Sequence, residues 1–201
     1  MSHPEAHAVA APGAVDPVAE HFERSKMGMW LFLASEIMMF GAFIAAYIVL
    51  RMSWDDEMVK YSKGQLSVLI ATINTGVLIL SSYTIVRAVR AASQGKRGHA
   101  EDMMLATAAL GILFLVFKGF EYGAKFSHGI GPDHNAFFGA YFLMTGFHGF
   151  HVLVGIICIL WGAFYVKRTT PQRYAYVENL ALYWHLVDVI WIFLFPIVYL
   201  L

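Results

Sequence analysis

Five runs of apolar residues, at 27–50, 66–86, 103–126, 135–166 and 177–201, alternate with short polar stretches along the whole chain. A helix rises about 1.5 Å per residue and a bilayer's hydrocarbon core is roughly 30 Å thick, so each run is long enough to cross a membrane. The longest, 135–166, contains no Asp, Glu, Lys or Arg. Between the runs lie a polar loop at 52–65, with Trp54 and Tyr61 suited to the membrane interface, the most basic stretch (Arg87, Arg90, Lys96, Arg97), a Gly-Pro loop at 127–134, and a segment at 167–176 broken by Pro171. Residues 1–26, rich in Ala, Pro and His, have no helical apolar stripe and read as a mobile polar tail. The pattern predicts an all-α, polytopic membrane protein: the tail 1–26 followed by a bundle of five transmembrane helices over 27–201.

Composition sharpens this picture. Of the 201 residues, 59% are hydrophobic and 14% charged, against about 25% charged in soluble domains. Net charge is zero, so no basic field points to nucleic acid as a partner. The single cysteine, Cys158, permits no intramolecular disulfide, and the Cys pairs that an iron–sulfur cluster or a c-type haem would need are absent. The first apolar run starts only at Met27 and is too long for a signal peptide's apolar core. Counting Lys and Arg near the ends of the runs gives nine on the side of the N-terminus and four on the other. By the positive-inside rule the N-terminus is expected to be cytoplasmic and the C-terminus outside.

Ionisable residues interrupt the apolar runs in a way that suggests chemistry or structural locking. Thr145-Gly-Phe-His-Gly-Phe-His151 places His148 and His151 three residues apart, about 60° from one another on the same side of a helix. Gly146 and Gly149 are expected to let another helix approach them. Glu36 in the first run and His185 and Asp188 in the last lie at the same mid-bilayer depth as these histidines. Glu121 lies nearer the outer side, with Lys118 and Lys125 spaced to pair with it along one helix face. Glu36 has no Lys or Arg elsewhere in its run and is expected to face a dry or lipid-filled interior unpaired.

An ionisable group at mid-bilayer costs at least about 2.5 kcal/mol and therefore faces protein, water or another polar group. The favoured reading is a polar lock in which His185 and Asp188 hydrogen-bond with His148 and His151. Metal binding by the same four residues, and proton or ion conduction through Glu36 and the histidines, are the competing readings. Di-iron bundles, however, use several carboxylates and Glu-x-x-His pairs, which this chain lacks, and its five runs show no inverted repeat.

The segments Thr145 to His151 and Tyr183-Trp-His-Leu-Val-Asp-Val-Ile-Trp191 strongly resemble the signature segments of subunit III of the haem-copper terminal oxidases. Ser35-Glu36, Asn74-Thr75, Phe120-Glu121-Tyr122 and the stretch Gly129 to Pro132 also match, in order, so the resemblance covers nearly everything from Lys26 to Leu201. It is to the short bacterial form, which lacks the first two of the seven helices found in the mitochondrial form; lipid contacts made by those helices do not carry over.

The resemblance implies a non-catalytic subunit of a proton-pumping cytochrome c or quinol oxidase in the bacterial cytoplasmic membrane. Haem and copper would belong to subunits I and II, which would reduce oxygen to water and pump protons, and none would be bound here. This chain would pack on subunit I, near subunit II and a small subunit IV. It would also hold phospholipid, support proton uptake and protect the enzyme during turnover. Glu36 and Glu121 become its buried functional carboxylates, and His148, His151, His185 and Asp188 its polar core. An accessory subunit of a nitric oxide reductase and a free-standing proton or ion transporter are the alternatives.

Overall fold

The computed structural model of the chain describes residues 17–64, 66–166 and 174–200. Most of the expected tail, with His3 and His7, and the loop 167–173 lie outside the described residues. The helices are α1 Pro17–Arg51, α2 Asp56–Gly64, α3 Val68–Ser93, α4 Arg97–Ser127, α5 Ala136–Val166 and α6 Tyr174–Phe195, followed by a π-helical turn, Pro196–Leu200. Among the described residues five helices are long and apolar enough to cross a membrane, over Arg24–Arg51, Val68–Ser93, Arg97–Ser127, Ala136–Phe164 and Tyr176–Leu200.

Helices outrun the apolar runs at several ends, because helix formation and burial in lipid are separate properties. The first helix starts at Pro17, inside the segment read as tail; a proline's missing N–H is no loss at a helix start. Two contacts fasten its beginning to α6: Lys26 Nζ lies 2.9 Å from Glu178 Oε1, and Asn179 Nδ2 donates to Ser25 Oγ at 3.0 Å. α3 continues through Arg87 and Arg90, good helix formers that extend their charge toward water; Arg87 also donates to Tyr83 OH at 2.9 Å.

The polar loop 52–65 contains a short helix that its hydropathy did not predict. α2 has Asp56 and Glu57 in its first turn and Lys63 in its last, each sign complementing the helix dipole. It tucks Val59 and Ser62 inward, and Ser62 Oγ accepts from Asn135 Nδ2 at 3.0 Å.

Helices α3 and α4 stop by the same device. In each case a glycine follows the cap at positive φ, Gly95 and Gly129, both at 71°. The next amide reaches back into the last turn: Lys96 N–H to Ala91 O at 2.9 Å, and Ile130 N–H to Lys125 O at 3.0 Å. Only glycine adopts that left-handed conformation without a steric penalty. At the other end of the chain, Pro196 has no N–H to donate and crowds the preceding turn. There regular α6 ends and the π-helical turn begins.

Helices α3, α4, α5 and α6 form a four-helix bundle, and α1 lies on its outside against α6 and α5. Between helices in lipid the hydrophobic effect supplies little attraction, so close packing and interhelical hydrogen bonds hold them. Trp184 fills the centre: it is fully buried, and its indole Nε1 donates to Ser81 Oγ at 3.0 Å.

Two glycines make room for that indole. A Cβ on Gly111 would stand 2.7 Å from the Trp184 ring, and one on Gly155 2.9 Å from it. Gly146 and Gly149, expected from the sequence to let another helix approach, face α4 but are not required for its approach. A Cβ on either would make ordinary contacts, at 3.8 Å from Tyr122 OH and 3.9 Å from Leu115 Cδ2.

Candidate functional site: two buried polar clusters

The first cluster is built on the last turns of α4. Spacings of three and four residues put Lys118, Glu121 and Lys125 on one face, as expected, and all three are buried. Lys118 Nζ donates to Glu121 Oε2 at 2.9 Å and Lys125 Nζ to Oε1 at 3.0 Å. Tyr141 on α5 donates to Oε1 at 2.9 Å, and Tyr199 on the π-helical turn lies 2.8 and 3.0 Å from the two oxygens. The turn after Pro196 thus brings a phenol from the end of the chain onto a carboxylate of α4.

Lys118 is held further by Tyr199 OH, at 2.7 Å, and sits 5.2 Å from the Trp191 ring centroid, so cation–π attraction adds to its hydrogen bonds. Tyr141 and Tyr199 were not picked out from the sequence, because a tyrosine in an apolar run reads as packing. Their depth is the signal that could have found them: both lie at the end of the bundle where α4 carries its charges.

The second cluster lies at mid-depth, and the histidines expected to form one lock have separate partners. His151 on α5 faces α1, its Nε2 3.0 Å from Glu36 Oε2, a close polar contact without hydrogen-bond geometry. Glu36 is therefore paired across helices, not unpaired as its own run suggested. The other ring nitrogen, Nδ1, lies 2.9 Å from Phe147 O. A carbonyl only accepts, so Nδ1 carries a hydrogen.

His185 on α6 bonds through Nδ1 to Ser82 Oγ on α3 at 2.7 Å. Asp188, one turn on, has both carboxyl oxygens buried without a hydrogen bond. His148 is fully buried among rings, 5.1 Å from the Trp191 centroid and 5.7 Å from that of Phe114. Neither of its nitrogens has a hydrogen-bond partner. Around it, Trp191 Nε1 donates to Thr75 Oγ1 at 3.0 Å and Asn74 Nδ2 to Phe114 O at 3.2 Å.

The four lock residues thus do not hydrogen-bond with one another. Two of them, His151 and His185, join α5 to α1 and α6 to α3, while His148 acts as a packed ring. Among the described residues no three His, Cys, Asp or Glu side chains converge as metal ligands.

This separation sets an expectation for His148. Replacement by Phe keeps the ring between Trp191 and Phe114 and strands no partner. Since the larger penalty comes from leaving a partner unpaired, thermal unfolding of His148→Phe in detergent should show a change within about 1 kcal/mol. A loss of about 3 kcal/mol or more would mean that the imidazole nitrogens are bonded after all.

Comparison with known proteins places all but the first residues of the chain. The family model described as "Cytochrome c oxidase subunit III" matches residues 18–201. The "Cytochrome c oxidase subunit 3" of Thermostichus vulcanus is 36% identical over 194 residues, covering 94% of this chain and 92% of that protein. The "Probable quinol oxidase subunit 3" of Staphylococcus aureus strain USA300 is 29% identical over 189 residues, covering 93% and 94% respectively.

Proposed function

The chain belongs to the cytochrome c oxidase subunit III family, and on that premise we propose that it packs against subunit I of a haem-copper terminal oxidase and keeps that enzyme active during turnover. The match across residues 18–201 carries this reading. A multi-pass membrane protein with five spanning helices fits the role. We place it in the bacterial cytoplasmic membrane with its N-terminus inside. Haem, copper and oxygen reduction belong to subunits I and II, and the electron donor, cytochrome c or quinol, is set there as well.

The bundle's part is to present a stiff surface and to hold phospholipid beside subunit I. Stiffness is supported by the cross-helix bonds of Trp184, Trp191, His185 and the Glu121 cluster, which tie α3, α4, α5 and α6 together. Lipid contact is supported by α1, whose outer side carries exposed Leu31, Ile37, Met38 and Val49. The Glu36–His151 pair joins that helix to the bundle, each giving the other a polar neighbour away from lipid.

An oxidase prepared without this chain, with subunits I and II intact, tests the reading. Oxygen consumption is expected to begin near the normal rate and then fall progressively over successive turnovers. Complete loss from the first turnover would place the chain in the chemistry itself and contradict the proposal.

A further inference from the structure

At the end of the bundle that carries the turn after α4 lies a half-open cavity of about 450 Å³, lined by Ser67, Ile70, Phe120, Glu121, Lys125 and His128 among others. Its inner wall is the edge of the Glu121 cluster. That cluster holds two ammonium groups against one carboxylate, a formal excess of one positive charge among buried side chains. Glu121 is already saturated, receiving Lys118, Lys125, Tyr141 and Tyr199 on its two oxygens.

Lys125 is not saturated. Its ammonium has three donors but makes one hydrogen bond, to Glu121 Oε1 at 3.0 Å, and otherwise stands 5.1 Å from the Tyr141 ring centroid. A buried positive charge in excess is costly in a membrane unless an anion offsets it, and the cavity is the place from which an anion can reach Lys125.

The rest of the lining suits the head of an amphiphile. His128 lies beyond the last turn of α4. Ser67 caps α3, its oxygen 3.4 Å from Ile70 N, which leaves its hydroxyl hydrogen free to donate. Ile70 and Phe120, both exposed large apolar side chains, form the outer walls.

We infer that this cavity is a binding site for a phosphate-type anion, held chiefly by Lys125 with Ser67 and His128 at its rim. A phospholipid headgroup or free phosphate has the required chemistry. The carboxylate of Glu121 also borders the cavity; two ammonium groups offset its charge and two phenols occupy its oxygens, so the cavity still admits an anion.

The test uses the purified full chain in nanodiscs of phosphatidylcholine with or without phosphatidylglycerol. Native mass spectrometry counts retained lipid, and inorganic phosphate is titrated separately in lipid-depleted protein. Preferential retention of one phosphatidylglycerol, reduced on the order of tenfold in Lys125→Gln, supports the site with a headgroup as occupant. Phosphate binding that Lys125→Gln abolishes, without lipid preference, supports it with a free anion as occupant.

Ile70→Trp fills the cavity without touching the charges and must weaken whichever binding is seen, which keeps the test valid should Lys125→Gln fail to fold. Lipid retention that Lys125→Gln leaves unchanged together with no phosphate binding, or binding that Ile70→Trp leaves unchanged, overturns the inference. None of these outcomes depends on association with an oxidase.

Discussion

Glu121→Leu is expected to destabilise the bundle by about 3–5 kcal/mol, the range for removing one partner from a buried charge cluster. The substitution leaves the Lys118 and Lys125 ammonium groups buried on one face of α4 with no carboxylate between them, and it removes the carboxylate to which Tyr141 and Tyr199 donate. Both effects act in the same direction.

Glu121→Gln should fall between Leu and the native residue, because it keeps a carbonyl for the phenols but gives up the charge. Replacing all three charged residues by apolar ones of similar size should recover most of the loss, since an intact buried ion cluster is often no more stable than a well-packed apolar substitute. Thermal unfolding of the full chain in detergent, compared across these variants, measures the series. A loss below about 1 kcal/mol for Glu121→Leu would mean that water reaches the lysines and that they are not buried as found.

Trp184→Ala should cost about 3–5 kcal/mol, for a different reason. The indole fills space that Gly111 and Gly155 open for it between α4 and α5, and it satisfies Ser81 on α3. Truncation leaves a cavity where four helices meet, and in lipid lost packing contacts are the larger part of what holds helices together.

Gly155→Leu attacks the same joint by overfilling it, so it should also destabilise, by about 1–3 kcal/mol. The double variant should lose less than the sum, because the added side chain occupies space that the indole vacates. Strict additivity would show that the two positions do not share one cavity. Unfolding temperatures of the two single variants and the double variant decide this.

Much of the architecture is legible in the sequence because lipid imposes a simple rule on length and polarity. The five spans follow from runs of apolar residues alone. Helix ends do not: Pro17 to Lys26 and Arg87 to Ser93 are helical without being apolar, and α2 hides in a loop whose composition is polar.

The Glu121 cluster was readable because its two lysines lie on the same helix, at spacings that fix their relative direction. Partners across helices were not readable. His148 and His151 differ by about 60° around α5, close enough to look like one site. That angle nonetheless sends His151 toward Glu36 on α1 and His148 into the rings of Phe114 and Trp191. For the same reason the glycines that matter for packing were missed. Gly111, Gly155 and Gly162 are marked out by the bulk facing them from other helices, such as Trp184 and Leu180, and not by their own neighbours in sequence.

In the function proposed above, this chain holds no redox centre and works attached to subunits that do. The direct measurement is purification of the full chain, by an affinity tag, from its native membrane in a mild detergent, with the visible spectrum and metal content recorded on what elutes. The expected result is haem and copper in fixed ratio to the chain, accompanied by the larger oxidase subunits and oxygen-reducing activity. Harsher detergent should then strip the chain free as a colourless, metal-free protein. A chain that elutes alone from the native membrane, or that retains haem or copper after separation from the other subunits, would contradict it.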